Sequence, residues 1–245
     1  MTFPPEDESG RAPSAARPVG GDGAGMVPQA GSAGDHQPDH DLAARLRRFE
    51  TRYFPRLQDR FHDLVERGQH PTVIFIGCSD SRVVPYLLMD AGPGELFMVR
   101  NVGNFVPPYD ASQGYHGTVA AIEFALMNFD IRHIVVCGHS HCGAIRALYH
   151  DVPDEARHMK KWLELGQDAR LPVMPGEEAL RRTEQRSVVL QLERLMAYPL
   201  VARRVSEGRV FLHGWHYLID EGQVRVLDIH TGRFEPVAPG NMIMK

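Results

Sequence analysis

The sequence predicts an α/β protein with a mostly parallel β-sheet core, flanking helices and a C-terminal antiparallel strand. Short runs rich in β-branched residues, such as TVIFIG (72–77) and HIVVCG (133–138), are typical of fully buried strands. Segments with helical spacing alternate with these runs, as in a parallel sheet with right-handed crossovers. Toward the C-terminus, two strand-like runs are separated only by DEG (220–222), which indicates an antiparallel hairpin.

The first predicted element is a helix with an apolar stripe. Leu42, Leu46, Phe49 and Tyr53 follow one another at steps of three and four, and the pattern resumes beyond Pro55. Because proline lacks an amide hydrogen, the helix should end or kink just before it. The stripe leaves an apolar face ahead of the first strand, and we expect that face to pack on a partner.

The remaining elements follow in chain order. A brief helix should begin at Pro85, because proline is favoured in the first turn of a helix. Beyond it we predict a strand in GPGELFMVRN (92–101), a helix in GTVAAIEFALMNF (117–129), the strand at 133–138, helices in HCGAIRALYH (141–150) and SVVLQLERLMAYPLVARRVSEG (187–208), and strands in RVFLHGWHYLI (209–219) and QVRVLDI (223–229).

Residues 1–40 differ in composition from the rest of the chain. They are rich in Gly, Pro, Ala and acidic residues, and Phe3 is their only aromatic side chain. Such a segment buries too little apolar surface to offset the entropy lost on ordering. We therefore predict a disordered tail over 1–40 and one folded domain, which holds all candidate site residues, over 41–245.

The bulk composition argues against several classes of protein. The net charge of −4 provides no basic footprint for nucleic acid or an anionic membrane. No apolar stretch approaches the roughly 20 residues of a membrane-spanning helix, and the N-terminus lacks the pattern of a secretory signal. Three cysteines, an odd number in 245 residues, favour a reducing compartment, the cytoplasm, with thiols free or metal-bound.

Potential metal ligands follow two of the predicted strands. Cys78 and Asp80 come at the end of the first strand, and His139 and Cys142 follow the third. Since ligands bind beyond the carboxyl ends of parallel strands, we expect these side chains to lie together. Two thiolates and an imidazole are a donor set that suits Zn²⁺, one ion per chain.

The fourth coordination position decides between two kinds of zinc site. If Asp80 fills it, the site is closed and structural; if it stays open, a bound water can be activated. Arg82 can hold the Asp80 carboxylate in a bidentate pair and so compete with the metal. We expect Cys137 to pack in the core, and His141 to be a surface side chain, with proton transfer as its alternative role.

Three motifs resemble those of the β-class carbonic anhydrases: CSDSRVVP (78–85), RNVGNFVPP (100–108) and CGHSHCGA (137–144). LMAYPLVARRV (195–205) and LHGWHYLIDEGQVRVLD (212–228) are similar to that family's C-terminal helix and strands. The resemblance extends over about residues 42–235. It implies a zinc enzyme that hydrates CO₂ to bicarbonate and is assembled as a dimer or a multiple of dimers.

The resemblance also implies a role for each metal-site residue. Cys78, His139 and Cys142 match the family's zinc ligands. Asp80 matches an aspartate that either binds zinc or pairs with the arginine at the place of Arg82.

Other residues match positions that surround the substrate in the family. Gln69 stands where a glutamine reaches into the partner subunit's site, Phe97 and Val102 where apolar residues line the CO₂ pocket, and Gly143 where a backbone N–H faces the substrate. One position departs from the pattern, because Phe124 replaces a tyrosine found in many relatives.

Two alternatives to CO₂ hydration remain at this stage. A hydrolase for CS₂ or COS could use the same scaffold and the same site. A non-catalytic zinc-binding protein would instead keep Asp80 on the metal permanently and activate no water.

Overall fold

A computed structural model describes residues 41–109, 114 and 116–237. Its centre is a six-stranded sheet in the order β2-β1-β3-β4-β5-β6, with the strands β1 Val73–Cys78, β2 Leu96–Asn101, β3 His133–His139, β4 Phe211–Leu218, β5 Gln223–Asp228 and β6 Arg233–Pro236. The predicted tail at 1–40 lies outside the described residues.

The sheet is parallel where the sequence predicts crossovers and antiparallel where it predicts a hairpin. β1 pairs in parallel with β2 and β3, and β3 pairs in parallel with β4. β5 and β6 then add in antiparallel fashion at one edge. The predicted fold class is confirmed, but β6 was missed, because its four residues are mostly exposed and carry no alternating apolar pattern.

Eight α-helices accompany the strands in the described part of the chain: α1 Leu42–Arg48, α2 Phe54–Glu66, α3 Pro85–Leu88, α4 Gly117–Asn128, α5 Gly143–Ala147, α6 Arg157–Leu163, α7 Glu177–Met196 and α8 Pro199–Ser206. The single helix predicted at 187–208 is wrong. Pro199 forces the residue before it out of the helical region, and Tyr198 is extended, with φ −78° and ψ 118°. The helix is therefore split into α7 and α8, and α7 begins ten residues earlier than predicted.

The N-terminal helix is interrupted where Pro55 predicts an interruption. Between α1 and α2 the backbone forms a π-helical segment, Phe49–Tyr53, in which the amide of Phe54 bonds to the carbonyl of Phe49. Pro55 then occupies the first turn of α2, where its missing amide hydrogen leaves no bond unmade.

The main core lies between the sheet and the helices α4, α7 and α8. Its fully buried members include Ile74, Ile76, Ile122, Leu126, Ile134, Val136, Val188 and Leu195. Each such side chain contributes about 1.5–3 kcal/mol on burial. Gly138 lets α7 come close to β3, since a Cβ at this position would meet Val188 Cγ2 at 2.6 Å.

Cys137 lies in a smaller cluster with Phe75 and Val135 and is fully buried, as predicted. Burial raises the pKa of its thiol to about 12, so this sulfur stays protonated and packs as an apolar group.

A pair of imidazoles, one on β3 and one on β4, makes the fold sensitive to acid. His133 Nδ1 and His213 Nε2 are 3.0 Å apart. Burial lowers the pKa of both side chains, that of His213 from 6.5 to about 4, and the positive charges of Arg132 and His133 add to the effect. The folded state therefore binds a proton less readily than the unfolded chain.

We expect this pair to destabilise the fold as pH falls from 6.5 toward 4, by about 1–3 kcal/mol, and to contribute nothing to the pH dependence above 6.5. The measurement is the free energy of unfolding in urea across this range, for the wild type and for His213→Gln, which cannot titrate. The difference between the two should change with pH. Parallel curves would contradict the prediction.

Candidate metal centre

The carboxyl ends of β1 and β3 bring three potential ligands together. Cys78 is the last residue of β1, His139 is the last of β3, and Cys142 precedes α5. Their ligand atoms all lie within 4.8 Å of one another, and all three residues are buried. Within 41–109, 114 and 116–237, no other three His, Cys, Asp or Glu side chains are grouped in this way.

The hydrogen bonding of His139 fits a metal ligand. Its Nδ1 lies 2.9 Å from the carbonyl oxygen of Ser140, so Nδ1 donates and Nε2 keeps its lone pair. Nε2 is buried, and the described residues offer it no hydrogen-bond partner. An unpaired buried nitrogen facing two thiols is expected where an ion binds. Residues of these types fit Zn²⁺.

The environment of Cys78 favours the thiolate that metal binding requires. A hydrogen bond from Cys142 is the largest of the effects that lower the pKa of Cys78 to about 4, and burial opposes it. The amides of Asp80 and Gly103 also donate to the sulfur, each at 3.4 Å. Gly103 is in the left-handed region, with φ +82°, and a Cβ there would meet the Phe105 ring at 2.7 Å. Glycine therefore allows this amide to approach the sulfur.

Asp80 is held by Arg82 in the structure. Its Oδ1 accepts from Arg82 N at 3.0 Å and from Nε at 2.9 Å, and Oδ2 accepts from Nη2 at 2.7 Å. The guanidinium holds the pKa of the carboxyl well below its usual range. Oδ2 is 4.0 Å from His139 Nε2, so Asp80 lies beside the ligand group while facing away onto Arg82.

Arg82 also connects the two loops of the centre. Its Nη2 donates to the carbonyl oxygen of His141 at 3.0 Å. His141 is exposed, in the left-handed region with φ 57°, and its Nε2 lies 3.9 Å from Asp220 Oδ1. One arginine thus fixes both Asp80 and the loop between His139 and Cys142.

Sequence reasoning missed two residues that contact the centre. Arg100 donates from Nε and Nη2 to the carbonyl oxygen of Cys78 at 3.0 and 2.7 Å, and from Nη2 to that of Asp80 at 2.7 Å. Glu184 accepts the amide of Cys142. Neither contact left a signal in the sequence. The register of β1 and β2 brings Arg100 beside Cys78, and Glu184 lies on a helix far along the chain.

Of the other predicted site residues, the structure brings Val102 and Gly143 to the edge of this centre but not Phe97 or Gln69. Val102 is 43% exposed and follows β2, and Gly143 is the exposed first residue of α5. Phe97 pairs with Ile74, near the start of β1, and stacks on Phe124 with ring centroids 6.0 Å apart. Gln69 is exposed and precedes the opposite end of β1 from Cys78. The ligand roles and the substrate roles stay predictions.

Comparison with known proteins gives a consistent family. A carbonic anhydrase family model matches residues 73–224. A carbonic anhydrase of Synechococcus elongatus is 38% identical over 191 residues, which cover 75% of this chain and 69% of the relative. The solved structure of the β-carbonic anhydrase CcaA has a TM-score of 0.74 at 37% identity. The match covers 80% of this chain and 98% of the CcaA chain. The chain belongs to the β-carbonic anhydrase family.

A further β-carbonic anhydrase structure bears on assembly. It is one of two tetrameric β-carbonic anhydrases of Sordaria macrospora and has a TM-score of 0.65 at 28% identity. The match covers 76% of this chain and 94% of the Sordaria chain. The family resemblance predicted from the CSDSRVVP and CGHSHCGA motifs is confirmed. In the described residues, no helix of this family member is long and apolar enough to cross a membrane.

Proposed function

We propose that the chain is a zinc-dependent carbonic anhydrase that reversibly hydrates CO₂ to bicarbonate and a proton. One observation carries the proposal: the buried Cys78, His139 and Cys142 group lies beside an Asp80 carboxylate that is turned onto Arg82. In a member of the β-carbonic anhydrase family, this arrangement supports an open catalytic site rather than a closed structural one.

The residues have distinct parts in this proposal. Cys78, His139 and Cys142 would hold the ion, and the two thiolates balance its charge. When bound, zinc would activate a water molecule as the nucleophile, as it does in carbonic anhydrases in general. Asp80, kept ionised by Arg82, would accept a hydrogen bond from the nucleophile and orient it.

Substrate contacts come from the edges of the centre. Val102 supplies apolar surface for CO₂, which is small and apolar. The Gly143 amide donates to a substrate oxygen. Phe97, beside Ile74, and Gln69, four residues before β1, lie toward the opposite end of β1 from Cys78, so both act in the site of a second subunit.

The test is stopped-flow CO₂ hydration on the chain as isolated, after zinc removal with a chelator, and after zinc is restored. Activity should disappear with the metal and return with it. CS₂ turnover on the same preparation separates the alternative hydrolase, for which no described contact provides support. A zinc-loaded chain that does not accelerate CO₂ hydration contradicts the proposal.

The apolar stripe on α1 and the following π-helical segment supports assembly with a second copy of the chain. Leu42, Leu46, Phe49 and Tyr53 are between 42% and 71% exposed, although each is a large apolar side chain. Burying such side chains contributes about 1.5–3 kcal/mol each. We propose a homodimer or a multiple of dimers in the cytoplasm, a compartment in which the free cysteines stay reduced.

We expect the double change Leu42→Glu and Leu46→Glu to weaken this assembly at least about a hundredfold, because charges at an apolar interface are costly to bury. Sedimentation velocity at micromolar concentration gives the oligomeric state. Met174→Glu, at a position 86% exposed and away from α1, is the control and should assemble like the wild type. A double variant with the sedimentation coefficient of the wild type would show that α1 is not the interface.

A further inference from the structure

A buried carboxylate bonds to the metal loop, which is the segment 139–142 that carries His139 and Cys142. Glu184, on α7, is only 4% exposed. Its Oε1 accepts the backbone amide of Cys142 at 3.1 Å, and its Oε2 lies 3.1 Å from Nε2 of His216 on β4. Each Glu184 carboxyl oxygen is thus within hydrogen-bond distance of a polar partner.

The start of α5 explains why an acceptor is needed here. Cys142 is the N-cap residue of α5, and its own amide needs an acceptor outside the helix. In a capping box, an acidic residue at the third helical position would accept the N-cap amide. In α5 that position is Ile145, which has no acceptor. Glu184 supplies from another helix the acceptor that α5 lacks.

His216 contacts the Glu184 carboxylate from β4. It is fully buried, and its Nδ1 has no hydrogen-bond partner among the described residues. Glu184 is therefore the only side chain there to which His216 is known to bond. A buried carboxylate and imidazole cost several kcal/mol in desolvation, which an apolar pair on the α7 and β4 faces would avoid. A role of the pair in holding the Cys142 amide would account for this cost.

We infer that Glu184 is a positioning residue for the metal loop and that His216 fixes it. By holding the Cys142 amide, Glu184 directs the Cys142 sulfur toward Cys78 and His139, so the affinity for the ion depends on it. The inference rests on the proposed function, since it assumes that this group binds zinc.

The experiment compares zinc affinity, measured by competition with a chelating indicator, in the full chain and its variants. Glu184→Ala should bind zinc about 10- to 100-fold more weakly than the wild type. Glu184→Met keeps the volume but removes both acceptors, so it should lose affinity to a similar extent and provides a second test if the alanine variant does not fold. Glu184→Gln keeps an acceptor for the Cys142 amide and should bind zinc within about threefold of the wild type.

A matched control is available on the same helix. Gln191 is also fully buried on α7 and also accepts a backbone amide, that of Val106 at 2.8 Å, away from the metal loop. Gln191→Ala should lower the melting temperature but leave zinc affinity unchanged. An equal loss of affinity in this control, or wild-type affinity in Glu184→Ala and Glu184→Met, overturns the inference alone. A wild-type chain that binds no zinc overturns the proposed function as well.

Discussion

Replacement of His139 by alanine is expected to remove zinc and reduce CO₂ hydration to the rate of buffer alone. His139 contributes the only nitrogen of the three-residue group, and its Nδ1 bond to Ser140 leaves Nε2 as the donor. Without it, two thiolates remain, and a catalytic zinc site needs three protein ligands. Cys78→Ser should have the same effect, since a hydroxyl stays protonated where the Cys78 thiol has a pKa of about 4.

Metal analysis by mass spectrometry and stopped-flow hydration measure the two effects on the same samples. Zinc should fall from about one ion per chain to nearly none in both variants. His158→Ala, which changes an exposed histidine on α6, is the control and should keep zinc and activity. Full zinc content in His139→Ala would show that the ligand assignment is wrong.

The central strands β1 and β3 could be predicted from the sequence because each is a short, buried run rich in β-branched residues. Elements whose formation depends on other parts of the chain could not. α6 has a largely exposed, polar sequence, and it follows a 3₁₀ turn that gives no periodic signal. The break at Tyr198 was predictable, since Pro199 excludes the helical conformation before it, but the strong apolar pattern on both sides obscured it.

The metal centre shows the same division between local and distant signals. Cys78, His139 and Cys142 were found because each ends or follows a buried strand, and parallel strands end at one edge. Arg100 and Glu184 instead bond to backbone groups of the ligand residues. Arg100 donates to the carbonyl of Cys78, and Glu184 accepts from the amide of Cys142. A backbone partner leaves no pattern in the sequence, because every residue carries the same N–H and C=O. Such residues become visible only when the fold places them.

Replacement of Arg82 is expected to have the second large effect on activity, because Arg82 controls where the Asp80 carboxylate points. Three hydrogen bonds of 2.7–3.0 Å hold the carboxylate on Arg82, although its Oδ2 is only 4.0 Å from His139 Nε2. A carboxylate this close to the ligand group, and released from its partner, is itself a good zinc ligand. Pairing with Arg82 would thus leave the fourth coordination position of a bound zinc to water, and loss of Arg82 would let Asp80 take that position.

Arg82→Ala should therefore retain about one zinc per chain but lose at least about 10- to 100-fold in CO₂ hydration, with little change in melting temperature. Arg82→Lys should rescue poorly, because an ammonium cannot form the planar two-point pair. The chain offers a matched control in Arg132, which pairs with Asp130 at the same two-residue spacing but on an exposed surface, with Nε 3.2 Å from Oδ2. Arg132→Ala loses an equivalent ion pair and should keep full activity. If Arg82→Ala hydrates CO₂ as fast as Arg132→Ala with zinc bound, Arg82 only braces the loop through His141, and Asp80 does not close the site.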